Sequence, residues 1–186
     1  MIRAFVGLPL PDDIASRLVA AQAGLPAGRP VAFGNLHRAF AFLGEHPAPG
    51  LEDFHHALDA FRLPAFALTL AGLGLFGGAR PRVLYAEARP EPALTRLRDK
   101  TLQAARSAGI RLERERFHAH VTLARLNAAL TPEEAEKLRA FAARGAGLRA
   151  GPFTAARFVL FRSRLCREHP SYEEMASYPL EGAVWG

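Results

Sequence analysis

The chain contains a single cysteine, Cys166, among its 186 residues. One cysteine excludes an intramolecular disulfide framework and a zinc site built from several cysteines. Long apolar runs are also absent, since no stretch approaches the roughly 18 apolar residues of a membrane-spanning helix. The apolar N-terminal run is short and is broken by Pro9 and Pro11, unlike a signal peptide. From these absences we expect a soluble cytoplasmic protein with no membrane partner.

Lysine is scarce as well. Lys100 and Lys137 are the only lysines, although Lys and Arg together number 24 and the net charge is +6. Arginine makes planar, bidentate contacts with phosphate, so this excess fits a nucleic-acid or phosphate partner. It fits the codon usage of a GC-rich genome equally well. The composition, with 49% hydrophobic and 23% charged residues, is typical of a globular protein.

Apolar periodicity predicts strands and helices that alternate along the chain. The predicted strands are 3–8, 38–43, 66–75, 82–88, 120–126, 153–166 and 172–180. The predicted helices are 11–23, 51–61, 91–108 and 131–144. Gly77 and Gly78 indicate a hairpin turn between the third and fourth strands. Thr131, Pro132 and Glu134 form the signature of a helix start with a capping box.

The element order repeats in the two halves of the chain. Each half has a helix, then a strand that begins at a histidine, then another helix, with His37 and His120 in corresponding places. This repetition predicts an α+β fold with two lobes related by a pseudo-twofold axis, forming one domain over 1–186. The site is expected in the groove between the lobes, and the lobe boundary near Pro90.

Two short segments carry the functional signal: 35–45 reads NLHRAFAFLGE and 117–125 reads FHAHVTLAR. Side chains at i and i+2 of a strand share a face. Thr122 therefore lies beside His120, whereas His37 has Ala39 beside it, with no hydroxyl. A pair of histidines on two similar strands predicts an acid/base site shared by the two lobes.

Several of these residues allow two interpretations. His37 and His120 also fit half-buried strand histidines that bond to the backbone. His118 and His120 resemble half of a metal site, but no flanking carboxylate or cysteine completes it, so we expect no metal.

Three further residues are candidates for the lining of the substrate groove. Phe5 fits a base-stacking position, although a core position is favoured. Arg162 and Arg164 share a strand face, which fits either the groove lining or a solvated surface.

In their order along the chain, these segments resemble the 2H phosphoesterases, which are named for two His-x-Thr-x motifs. They resemble in particular the bacterial and archaeal RNA 2′,3′-cyclic phosphodiesterases once called 2′-5′ RNA ligases. The matching segments are 3–11, 35–37, 42–45, 81–85, 117–125 and 158–165, followed by Tyr172. The resemblance implies two antiparallel sheets flanked by helices, with the active site in the groove between them.

The same resemblance implies hydrolysis of RNA 2′,3′-cyclic phosphate ends to 2′-phosphomonoesters, with neither metal nor cofactor. It assigns His37 as the proton donor, His120 as the proton acceptor, and Thr122 and Arg125 as phosphate-binding residues. An imidazole pKa of about 6.5 allows one neutral and one protonated ring near neutral pH. The expected partner is RNA or a nucleotide with a 2′,3′-cyclic phosphate, and the expected state is a monomer.

Ala39 departs from the family pattern, which has threonine at this position. Arg38 also departs from it, since an apolar residue is usual there, and a regular strand points Arg38 away from the site. Loss of one phosphate-binding hydroxyl predicts a rate lower by about one to three orders of magnitude. Two alternatives follow: a catalytically weakened protein that binds RNA ends, and an RNA 2′-5′ ligase that uses the reverse reaction.

Overall fold

The computed structural model describes residues 1–112, 117–127, 129–164 and 170–182. The strands are β1 (Ile2–Pro9), β2 (Arg29–Pro30), β3 (His37–His46), β4 (Phe66–Phe76), β5 (Val83–Ala88), β6 (His120–Arg125), β7 (Arg149–Ala155), β8 (Arg157–Arg164) and β9 (Ser171–Pro179). The helices are α1 (Asp12–Ala21), α2 (Ala48–Asp59), α3 (Pro92–Ser107) and α4 (Pro132–Arg144).

The strands form two antiparallel sheets. The first has the order β3-β1-β8-β9, and the second has the order β2-β6-β5-β4-β7. His37 is the first residue of β3 and His120 is the first residue of β6, so each sheet carries one of the two histidines. The predicted α+β, bilobal arrangement of two antiparallel sheets is confirmed.

The lobes do not coincide with the two halves of the chain. The hairpin β4–β5 precedes Pro90 but pairs with β6, in the sheet that carries His120. Conversely, β8 and β9 come late in the chain and complete the sheet of His37 through pairing of β8 with β1. The expected boundary near Pro90 is therefore wrong, because the first half contributes β2, β4 and β5 to the sheet of His120 and the second half contributes β8 and β9 to the sheet of His37.

The predicted strand 153–166 is two strands in different sheets. β7 pairs with β4 of the second sheet, whereas β8 pairs with β1 of the first sheet. The chain changes sheets at Ala156, where the sequence has neither glycine nor proline to indicate a break. Leu165 and Cys166, at the predicted strand's end, lie outside the described residues.

Local signals explain the helix boundaries. The Thr131 hydroxyl accepts a hydrogen bond from the Glu134 backbone N–H at 3.1 Å, and the Glu134 carboxylate accepts one from the Thr131 N–H at 2.8 Å. This reciprocal pair is the predicted capping box. Gly109, which follows α3, has a φ of 74°, the left-handed conformation that favours glycine at a helix end.

The core lies on one face of each sheet, under the helices. α2 buries Leu51, Phe54 and Leu58 at helical spacing, in a cluster that also contains residues from both sheets. The opposite face of the first sheet carries a separate small cluster around Phe5 and Phe161. His37 lies on that second face. One face of the first sheet therefore packs in the core, and the opposite face carries the candidate site.

No helix among the described residues combines the length and the apolar character needed to cross a bilayer.

Candidate active site

His37 is held at the start of β3 by its own backbone neighbourhood. Its Nδ1 lies 2.7 Å from the carbonyl oxygen of Asn35. A carbonyl only accepts, so Nδ1 carries the proton and donates, which leaves Nε2 as the reactive nitrogen of the neutral ring. The ring packs against Phe5 at 4.7 Å and against the edge of Tyr172 at 4.8 Å between centroids.

His120 repeats this arrangement in the other sheet. Its Nδ1 donates to the carbonyl oxygen of His118 at 2.8 Å, again two residues earlier in the chain. Its ring contacts Phe76 and Tyr85, with centroids 4.9 and 5.5 Å away. Each histidine is thus fixed in one tautomer by a backbone carbonyl and in one orientation by aromatic rings.

The environment of each histidine lowers its pKa. Burial lowers the pKa of His37 to about 4, against the opposing effect of its bond to Asn35, and the positive charges of Arg125 and His120 lower it further. Burial also lowers the pKa of His120, with smaller contributions from Arg38 and His118. Both rings are therefore neutral at pH 7 in the free protein.

Thr122 and Arg125 follow His120 along β6. Thr122 lies opposite Tyr85 in the register and Arg125 lies opposite Val83, with a bulge between these pairs. Leu123 and Ala124 are both fully buried, so two consecutive residues face the core and the alternation shifts by one. Arg125 consequently joins His120 and Thr122 on the site face, although a regular strand would point it away.

Ala39 occupies the position beside His37. It lies directly opposite Gly7 of β1 with no register shift between residues 37 and 39, so it shares the face of His37. It packs against the cluster of Phe5, Phe161 and Tyr172. The first motif therefore presents a methyl group where the second presents the Thr122 hydroxyl.

A groove of about 570 Å³ leads away from this centre along the outer edge of β3. It begins at His120 and Ala39 and extends to Arg3, and its opposite wall contains Arg98 of α3 and Phe117. We call this the β3 groove. Its volume lies in the range of about 300–1,000 Å³ that is usual for small-molecule sites.

A family model described as LigT like phosphoesterase matches residues 8–85 and 87–172 of this chain. The chain belongs to this phosphoesterase family. The model matches twice, once in each half, and each match contains one of the two histidine motifs.

Known members of the LigT like phosphoesterase family align over nearly the whole chain. The RNA 2′,3′-cyclic phosphodiesterase of Geobacillus stearothermophilus is 31% identical over 98% of this chain, which spans 58% of that relative's length. The RNA 2′,3′-cyclic phosphodiesterase of Bacillus subtilis (strain 168) is 30% identical, with 95% of each chain covered. The crystal structure of Escherichia coli LigT complexed with 3′-AMP superposes with a TM-score of 0.78 at 27% identity, covering 97% of this chain and 98% of LigT.

The three groove candidates of this LigT like phosphoesterase, Phe5, Arg162 and Arg164, do not line the β3 groove. Phe5 is 3% exposed and its ring packs against the His37 ring. It therefore has no exposed face on which a base could stack. Arg162 lies opposite Ala4 rather than Phe5, and Arg164 forms an ion pair with Glu173 at 2.8 Å. Both arginines point away from the site, because Val159 and Phe161 pack with Phe5 on the site face of β8 and the alternation places Arg162 and Arg164 on the other face.

The sequence did not reveal the aromatic support of the histidines. Phe76, Tyr85 and Tyr172 contact the catalytic candidates. Tyr85 and Tyr172 belong to the segments of the family resemblance, which assigned them no role. Gly74 makes the second support possible, since a Cβ there would lie 2.3 Å from the Tyr85 ring. Among the described residues, no three His, Cys, Asp or Glu side chains form a cluster that could hold a metal ion.

The lowered pKa of His37 predicts a loss of stability in acid. Its folded-state value of about 4 lies below the unfolded value of about 6.5, so between these pH values the unfolded chain binds more protons. Stability is full above pH 6.5 and falls as the pH drops toward 4, by about 3 kcal/mol from this group. We expect His37→Asn, which cannot titrate, to lose about 3 kcal/mol less over this range.

Urea unfolding of both proteins at pH 7.5 and pH 4 measures the difference. Parallel losses of stability in the two proteins would show that His37 is not held neutral by the fold.

Proposed function

We propose that this chain hydrolyses RNA 2′,3′-cyclic phosphate termini to 2′-phosphomonoesters with two histidines and no metal ion. The observation that carries the proposal is a hydrogen bond that occurs twice. His37 and His120 each donate from Nδ1 to the backbone carbonyl two residues earlier. These hydrogen bonds leave both Nε2 atoms available for proton transfer, one from each sheet, as the acid and the base. The names of the relatives support the substrate class.

In the proposed reaction, Nε2 of neutral His120 accepts a proton from water as the water oxygen bonds to phosphorus. The bond between phosphorus and the ribose O3′ breaks, and O3′ takes a proton from Nε2–H of protonated His37. The products are a 2′-phosphomonoester and a free 3′-hydroxyl. Thr122 and Arg125 hold the non-bridging oxygens, where charge builds up in the transition state.

In the proposed mechanism, His37 becomes protonated when the substrate binds. Since burial and nearby cations hold the pKa of His37 near 4 in the free protein, the protonated acid is scarce at neutral pH. A phosphate anion between the rings opposes this effect, because a nearby negative charge favours the imidazolium. Substrate binding thus converts His37 from a neutral ring into the acid that the reaction needs.

A nucleoside 2′,3′-cyclic phosphate tests the proposal directly. We expect its conversion to the 2′-phosphomonoester, with a rate that changes less than about twofold in EDTA, since the proton transfers need only imidazole groups. Chromatography against authentic 2′- and 3′-phosphates identifies the product. A 3′-phosphate product, or loss of activity in EDTA that added metal restores, contradicts the proposed mechanism.

A further inference from the structure

The β3 groove is lined by cations and exposed aromatic surface. Arg3, Arg98 and Arg111 line it, and none of its described lining residues is a carboxylate. Phe42 lies between the catalytic end and Arg3, with 61% of its surface exposed although it is a large apolar side chain. Cations that follow a groove, interleaved with an open ring, are characteristic of surfaces that bind single-stranded nucleic acid.

Two guanidinium groups, one fully buried and one partly exposed, pack at this wall of the groove. Arg38 and Arg98 both lie over the Phe117 ring, at 4.9 and 4.4 Å from its centroid. Arg38 is fully buried, its Nη1 donates to the Ala39 carbonyl, and its Nε and Nη2 have no partner, nor has Nε of Arg98. Arg98 has one carboxylate neighbour, the exposed Asp99, whose Oδ1 lies 3.7 Å from its Nη1. Unpaired buried donors are costly, and an anion in the groove beside Arg98 offsets part of that cost.

The length of the groove exceeds what the reacting group needs. Ala39 lies opposite Gly7, and Arg3 lies opposite Glu45 at the other end of the same pair of strands. Four residues of strand correspond to about 13 Å. The groove therefore extends well beyond a cyclic phosphate held between His37 and His120, and it has room for further nucleotides.

We propose that the β3 groove is a subsite for the RNA strand that precedes the terminal cyclic phosphate. In it, Arg98 binds the first internucleotide phosphate, Arg111 and Arg3 bind phosphates farther along, and Phe42 stacks on a base. This proposal rests on the proposed function and extends it from a reacting group to a substrate class. The preferred substrate is an RNA oligonucleotide end rather than a free cyclic mononucleotide.

Kinetics of Arg98→Gln with two substrates tests the subsite. For a short RNA oligonucleotide ending in a 2′,3′-cyclic phosphate, we expect KM to rise about three- to tenfold and its salt dependence to weaken by a slope of about 0.7, the contribution of one single-strand phosphate contact. For a nucleoside 2′,3′-cyclic phosphate, we expect KM and kcat to change less than about twofold. Equal effects on both substrates, or none on either, overturn the proposal.

The chain provides a matched control and a second variant. Arg96→Gln makes the same charge change on α3, at an exposed position two residues away that does not line the groove, and we expect it to leave both substrates unaffected. Arg3→Gln alters an exposed residue at the far end, so it tests the groove even if Arg98→Gln folds poorly. It is expected to weaken only the oligonucleotide.

Direct binding separates this proposal from the proposed function. Fluorescence anisotropy with a labelled RNA oligonucleotide ending in a 2′-phosphate needs no turnover. Binding that weakens in Arg98→Gln but not in Arg96→Gln supports the subsite even if the protein hydrolyses nothing. Hydrolysis of both substrates with binding that neither Arg98 nor Arg3 affects refutes the subsite and leaves the proposed function intact.

Discussion

Alanine at His37 or at His120 is expected to lower the turnover of RNA 2′,3′-cyclic phosphate ends by at least about a hundredfold, the usual contribution of a positioned acid or base. Each ring is fixed by a carbonyl and by aromatic neighbours, with its Nε2 left as the reactive nitrogen. The wild-type rate is expected to follow a bell-shaped pH profile, because one ring must be protonated and the other neutral. Losing either histidine removes one limb of that profile.

Steady-state kinetics of the two variants measures this effect, with His46→Ala as the matched control. His46 ends the same strand that His37 begins, and its Nε2 contacts the carbonyl of Leu43, away from the site. Turnover of His46→Ala is expected to stay within about twofold of wild type. Normal turnover by His120→Ala would falsify the two-histidine mechanism.

Restoring a hydroxyl with Ala39→Thr is expected to raise the catalytic rate by about tenfold or more. Ala39 faces the site beside His37 and lines the β3 groove, which leaves space for the larger residue. The new hydroxyl donates to a non-bridging phosphate oxygen as charge develops on it. Threonine suits a strand, so the free energy of unfolding is expected to change by less than about 1 kcal/mol.

Ala39→Val isolates the hydroxyl from its packing. Valine has nearly the shape of threonine, so a gain that depends on hydrogen bonding appears in the threonine variant alone. Side-by-side measurement of kcat and of urea unfolding for the three proteins decides between the two causes. Equal rates for alanine and threonine mean that another group, such as Arg125, already stabilises that oxygen.

The local parts of this site were predictable from the sequence. The period-2 rule correctly predicted that Thr122 shares a face with His120 and that Ala39 shares one with His37, because both stretches are regular where the rule was applied. The start of α4 was equally clear, since its capping box depends only on Thr131 and Glu134. Short-range backbone chemistry determines all of these features.

Features that depend on distant pairing were not predictable. The placement of Arg125 requires the bulge at Leu123 and Ala124, which arises from pairing with β5 and has no signature in the apolar pattern. The change of sheet at Ala156 also has no signature in the sequence, because it depends on the pairing of β7 with β4 and of β8 with β1. Arg38 was expected to point away from the site, and it does, but its burial against Phe117 depends on a residue far along the chain.

The exchange of strands between the lobes makes the site a property of the entire chain. β1 lies between β3 and β8, so Ala4 is paired with Arg162 from near the opposite end of the sequence. Neither half of the chain can complete the sheet that holds its own histidine. During synthesis, His37 therefore acquires its final surroundings only after β8 has emerged, and folding of its sheet must wait for contacts of high sequence separation. Although the motifs are duplicated, neither copy is a smaller enzyme that could act by itself.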